Sequence, residues 1–145
     1  MREQESEQPV LKNHLPLGIT GLVCERRPNG RLACNLPQTH KHHSPSGFEF
    51  GYNGSGPADL ALNVLASIVP VGSDGLRPVE CWDGTKVSAT AMILHQEFKA
   101  TFIARMFGDS DSVPLAKIRE WVETKRKSPA FASSVVLYQP ISDEA

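Results

Sequence analysis

Gly47-Phe48-Glu49-Phe50-Gly51-Tyr52-Asn53-Gly54-Ser55-Gly56-Pro57-Ala58-Asp59-Leu60 decides the fold of this chain. Its first half alternates glycine with aromatic residues around Glu49. Read as extended, it puts Phe48, Phe50 and Tyr52 on one face and Glu49 on the other. The glycines that follow mark a tight turn, and the turn opens onto a helix. Pro57 fits the first helical position, where a missing N–H costs nothing, and Ser55 or Gly56 is placed to cap. Asp59 in the first turn complements the positive end of the helix dipole. The spacing predicts a helix over 57–69, apolar at Leu60, Ala61, Leu62, Val64, Leu65, Ala66, Ile68 and Val69. Only Asp59, Asn63 and Ser67 break that surface. A helix apolar nearly all round belongs in a core, and Pro70 ends it.

Outward from this stretch, the N-terminal side reads as a β-hairpin. Ile19, Thr20, Leu22 and Val23 precede Arg27-Pro28-Asn29-Gly30, and Arg31-Leu32-Ala33-Cys34 follows. Proline presets the first corner, and Asn and Gly tolerate positive φ at the next. The hairpin would bring Cys24 and Cys34 close across the ladder. On the C-terminal side a second helix is expected over 87–107, with Leu94, Phe98 and Phe102 as its stripe. Gly108-Asp109-Ser110-Asp111 breaks it. A third helix is expected over 114–126, with Leu115, Ile118, Trp121 and Val122 on one face. Val135, Val136, Leu137 and Tyr138 suggest a last strand over 133–139. The expected architecture is a single α+β domain over 14–140. In it an N-terminal β-hairpin and a further short strand, Phe48–Tyr52, pack on about three helices. Residues 1–13 are too polar to offset their ordering entropy and read as a disordered arm; residues 141–145 read as a tail.

Composition narrows the function classes. The 145 residues carry a net charge of −1, which lends no general support to nucleic-acid binding. No apolar run reaches bilayer-spanning length, and the start lacks the apolar segment of a signal peptide. The expected compartment is the cytoplasm. Three cysteines in a reducing compartment read as free thiols.

Four candidate sites follow. The glycine turn, with Glu49, Tyr52, Asn53, Gly54, Ser55 and Gly56, is a candidate ligand site, since free N–H groups at a helix start attract anions. Its spacing matches neither the dinucleotide fingerprint nor the P-loop. Pro57 removes a donor, no lysine follows, and Asp59 would repel phosphate. Glu49, between two aromatics, is also a candidate acid–base group with His43, His95, Glu97, Asp59 and Tyr52 as potential partners. His40 and His42 share one side of an extended loop and, with Cys34, are weak candidates for a metal site; the spacing fits no strong zinc pattern. Trp82, in a loop, and Lys125, Arg126 and Lys127, at a helix end, are candidate interaction residues. No complete catalytic motif and no cofactor fingerprint is present.

The segment from His43 to Leu62, containing Gly47-Phe48-Glu49-Phe50-Gly51-Tyr52-Asn53-Gly54-Ser55-Gly56-Pro57-Ala58-Asp59-Leu60-Ala61-Leu62, resembles the signature of a small uncharacterised family. Its members occur in bacteria and often in phages, plasmids and integrative elements. Phe50 stands where that signature usually has Trp, and Asn53 where it usually has Gly. The resemblance runs over about 18–125 and includes the Phe98-Lys99 pair. It brings no activity and no catalytic residues. It implies a non-enzymatic binding protein of a mobile genetic element with a protein partner, such as an inhibitor of a host defence system like CRISPR or restriction. The alternative is a small enzyme or an anion- or nucleotide-binding domain that uses the turn at 47–59.

Overall fold

A computed structural model describes residues 7–44 and 46–140. The first six residues of the expected arm, Pro45 and the expected tail lie outside the described residues. The order is α1 (Leu17–Thr20), β1 (Gly21–Arg26), β2 (Leu32–Cys34), α2 (Ser55–Ile68), β3 (Val79–Glu80), β4 (Lys86–Val87), α3 (Ala89–Thr101), a 3-10 turn (Ile103–Arg105), β5 (Ser110–Pro114), α4 (Leu115–Arg126), α5 (Pro129–Ser134) and a 3-10 turn (Val135–Tyr138). The fold class is α+β, as expected, and the N-terminal hairpin is present.

The hairpin forms where the turn chemistry puts it. Gly30 donates its N–H to the Arg27 carbonyl at 2.9 Å, and Asn29 Oδ1 accepts the Arg31 N–H at 3.0 Å. Gly30 has φ +88°, a left-handed value that costs glycine nothing. Cys24 faces Cys34 in register. The third strand of this sheet is β5, not Phe48–Tyr52: the order is β2-β1-β5, all antiparallel. Residues 47–52 are irregular because Gly47 and Gly51 take φ +115° and +91°, which breaks strand pleating at both ends. Phe48 and Phe50 are both buried, but Tyr52 is 51% exposed and does not share their environment.

β1 and β5 approach so closely that Gly21 is irreplaceable. A Cβ there would lie 2.3 Å from the Val113 carbonyl oxygen and 2.4 Å from the Leu115 nitrogen. Residues 8–11 also depart from the expected disorder. The free edge of β2 orders them: Cys34 donates to the Pro9 carbonyl at 3.4 Å, and Leu11 donates to the Cys34 carbonyl at 2.8 Å. Gln8 completes the edge, donating to Leu32 O at 2.6 Å and accepting the Phe48 N–H at 2.7 Å.

α2 is the core helix. Leu60, Leu62, Val64 and Leu65 are almost fully buried, each burial stabilising by about 1.5–3 kcal/mol. α3 packs against it, starting at a Ser88 cap that accepts the Ala91 N–H at 3.1 Å. The helix is shorter than the expected 87–107. After Thr101 it tightens, and the glycine stretch reaches this end: Gly51 donates to the Ile103 carbonyl at 3.0 Å. On α4, Ile118 and Val122 are buried, and Trp121 meets Phe98 edge-on at 5.3 Å. The expected strand at 133–139 is instead helical. Ser128 caps α5 by accepting the Phe131 N–H at 3.2 Å, with Pro129 at its first position. Arg77 then holds the following turn, donating to Leu137 O and Gln139 O at 2.6 and 2.9 Å. Capping and this arginine override the β preference of Val135 and Val136.

Candidate functional site

Asp59 is fully buried in the first turns of α2. Its carboxyl group accepts four hydrogen bonds. Oδ1 takes the His43 N–H at 2.8 Å; Oδ2 takes the Ser44 N–H at 2.9 Å, the His42 N–H at 3.1 Å and Gln38 Nε2 at 3.3 Å. One turn later, Asn63 Oδ1 accepts the N–H groups of Thr39 and His40, both at 3.0 Å, and its Nδ2 donates to the His40 carbonyl at 2.9 Å. The polar stripe on an otherwise apolar helix is therefore a clamp. It holds the backbone of residues 38–44 against the core, and this is why two polar side chains can be buried there without penalty.

The clamp fixes where the histidines stand. The Met92 carbonyl can only accept, so His95 Nδ1–H donates to it at 2.7 Å. His95 Nε2 then carries a lone pair and accepts from His43 Nε2–H at 2.9 Å. Burial, ahead of the nearby His43 and His42, lowers His95 to about 4; burial likewise lowers His43. The two rings meet edge to edge as a neutral hydrogen-bonded pair, centroids 5.1 Å apart. His42 turns the other way, and its Nδ1 accepts the Trp82 N–H at 2.9 Å. Thr85 donates its hydroxyl to Asp83 at 2.6 Å, so His40 Nδ1–H donates to Thr85 Oγ1 at 2.8 Å. Burial lowers His40 as well.

These bonds latch the 38–44 loop to the β3–β4 loop. Lys41 N–H donates to Asp83 Oδ2 at 2.9 Å, and Asp83 N–H donates to the Lys41 carbonyl at 3.1 Å. On this doubly held backbone sits Trp82, 73% exposed. Beside it Lys41, His42, His43 and Ser44 line a cleft of about 170 Å³.

The glycine turn has a cavity of its own, about 370 Å³, lined in part by Glu49, Tyr52, Ser55, Gly56, Ser46 and Asn29. Glu49 is not a free carboxylate there. Arg26 grips it with two bonds, at 3.0 and 3.1 Å, and stacks over Phe50 at 5.2 Å. The Glu49 hydrogen bonds are the main cause that raises Arg26 above its ordinary value. Among the described residues no histidine lines this cavity, so Glu49 and the acid–base candidates His43 and His95 are not brought together. The exposed Asn53 and the cap residue Gly54 lie outside its lining.

His40, His42 and Cys34 do not converge either: Cys34 is buried in the hairpin beside Cys24, while the two rings bind different groups of the β3–β4 loop. Among the described residues no three of His, Cys, Asp and Glu are placed to hold a metal. Lys125 pairs with Glu97, and Arg126 with Glu123 at 3.5 Å; Lys127 is exposed at the helix end. The basic run is thus largely balanced by acids. The Asp59–Asn63 clamp was not among the sequence expectations, and His43 and His95, though both named there as acid–base candidates, were grouped with Glu49 and not paired with each other. The clamp had a signal, two polar residues four apart on an apolar helix; the pair had none, because its members stand 52 positions apart.

This architecture defines a small α+β domain built around a clamped loop. No helix among the described residues is long and apolar enough to cross a membrane. Residues 19–73 match the model of a family of unknown function (DUF6166). The matched segment runs from α1 through the hairpin and the clamped loop to the end of α2, and stops short of the wider span of the resemblance. No curated protein and no solved structure matches the chain.

Proposed function

We propose that this chain is a non-enzymatic protein-binding module whose contact point is Trp82. One observation carries the reading: an indole 73% exposed on backbone that two loops hold in place. A large amphipathic ring on pre-ordered backbone loses little entropy on docking, and such residues dominate binding energy at interfaces. The neighbouring cleft would receive a side chain of the partner. The family resemblance supports a host protein as that partner, with inhibition of a host defence system as the role.

The test is capture from host lysate with immobilised protein. Wild type and Glu49→Ala retain the partner, and Trp82→Ala loses it. Equal capture by wild type and Trp82→Ala would refute the assignment.

A second reading has one observation in its favour, the cavity of about 370 Å³ at the glycine turn, a size suited to a small ligand. It would hold a small polar ligand or anion between the helix start and Tyr52. The engaged Glu49 supports binding rather than proton transfer. A thermal-shift panel of inorganic phosphate and nucleotides tests it; no shift at millimolar concentration would dismiss those ligands.

A further inference from the structure

The geometry points to Cys24 and Cys34 as a dithiol that closes reversibly into a cross-strand disulfide within the native fold. Both side chains are fully buried, and their sulfur atoms lie 3.1 Å apart. They are directly opposed in the register of β1 and β2. Cys34 spends its backbone N–H and C=O on Pro9 and Leu11, on the other side of β2. The backbone bonds between β1 and β2 fall instead on neighbouring positions, with Asn35 donating to Val23 and Arg27 to Arg31. Cys24 and Cys34 are therefore a non-hydrogen-bonded pair, the kind that brings opposed Cα atoms to about 4.5 Å. That lies inside the roughly 4.4–6.8 Å window a disulfide spans. The sulfurs need only close to a bond of about 2.05 Å.

The chemistry requires an oxidant, and a small disulfide such as oxidised glutathione supplies it. One cysteine loses its proton and attacks a sulfur of the reagent, expelling a glutathione thiolate. The second cysteine then loses its proton and attacks the mixed disulfide, expelling the second thiolate. Two protein thiols are oxidised, one reagent disulfide is reduced to two thiols, and no other species is consumed. Burial pushes the Cys34 thiol well up, so reaction in the closed state is slow and proceeds when the 8–11 edge opens. The third cysteine, Cys81, is buried and free, and it serves as the internal control.

The experiment oxidises folded protein with excess oxidised glutathione, removes the reagent and counts thiols after denaturation. Wild type falls from three reactive thiols to one, loses about 2 Da relative to the reduced protein, and yields a peptide joining Cys24 to Cys34. Its far-UV circular dichroism is unchanged, its urea midpoint rises, and dithiothreitol reverses both the mass change and the midpoint. Cys81→Ser falls from two thiols to none, and Cys24→Ser keeps two. Should Cys24→Ser fail to fold, the peptide map of wild type decides alone. Three remaining thiols, a persistent glutathione adduct, a bond to Cys81, or a bond formed only with loss of native dichroism would each overturn the inference.

Discussion

Replacing Asp59 by Asn tests whether a carboxylate, and not merely a polar group, holds the 38–44 loop. The native side chain is acceptor-only on both oxygens, and three backbone N–H groups and the Gln38 amide point at it. An amide has one acceptor oxygen. Placed at Oδ2 it still accepts from Ser44 and His42, but its NH2 then faces the His43 N–H. Placed at Oδ1 it opposes the Ser44 and His42 donors instead. The better arrangement leaves one buried donor unsatisfied, at about 1–3 kcal/mol, and weakens the remaining bonds by losing their charge assistance. The expected loss is about 2–4 kcal/mol, and Asp59→Ala, which removes every acceptor, exceeds it. Urea denaturation at pH 7 measures both: the midpoint drops with an unchanged m-value. Amide hydrogen exchange provides the local readout, with faster exchange at 42–44 than in β1. An Asn variant within 1 kcal/mol of wild type, or an Ala variant no worse than Asn, would refute the clamp argument.

Acid destabilises the fold through His95. Its folded value is lowered from 6.5 to about 4, so below pH 6.5 the unfolded chain takes up a proton that the folded chain refuses. Stability is full above 6.5 and falls as pH drops toward 4, by about 1.4 kcal/mol per pH unit and about 3 kcal/mol in all; urea midpoints across that range test it, and His95→Gln flattens the slope. Leu60→Ala costs about 2–5 kcal/mol by opening a cavity in the core, read in the same assay. Gly21→Ala costs more than about 3 kcal/mol or abolishes folding, because its Cβ would meet backbone of β5 and α4 at a positive φ, and expression with circular dichroism detects it. Trp82→Ala leaves stability within about 0.5 kcal/mol while removing partner capture.

Features built from neighbouring residues were legible in the sequence. Pro28-Asn29-Gly30 announced the hairpin, the apolar run announced α2, and Ile118 with Val122 announced the buried face of α4. The start of α2 was misplaced, since the helix opens at Ser55 after Gly54 and Pro57 is its third residue. What was not legible depends on distant partners. β5 carries Ser110, Asp111, Ser112 and Pro114 around a single apolar Val113, a composition that reads as a loop. It becomes a strand only because β1 offers an unpaired edge. The aromatic stretch at 48–52 has strand composition, yet its glycines bend it toward the end of α3. The candidate site divides along the same line. The exposure of Trp82 and the engagement of Glu49 by Arg26 depend on elements far away in the chain. The closeness of Cys24 and Cys34 followed from the turn alone.

The Asp59–Asn63 clamp grips mainly main-chain groups of the 38–44 loop, with the Gln38 amide and the Thr39 hydroxyl as its side-chain partners. The path of that loop is therefore written on α2, not in the loop itself. The exposed side chain at Lys41 takes no part in these bonds and can be exchanged while the backbone stays on its track, whereas the His42 ring also holds the Trp82 N–H. The shape of the loop is thus kept by a helix it does not belong to, so an exposed position such as Lys41 can be rewritten without renegotiating the fold.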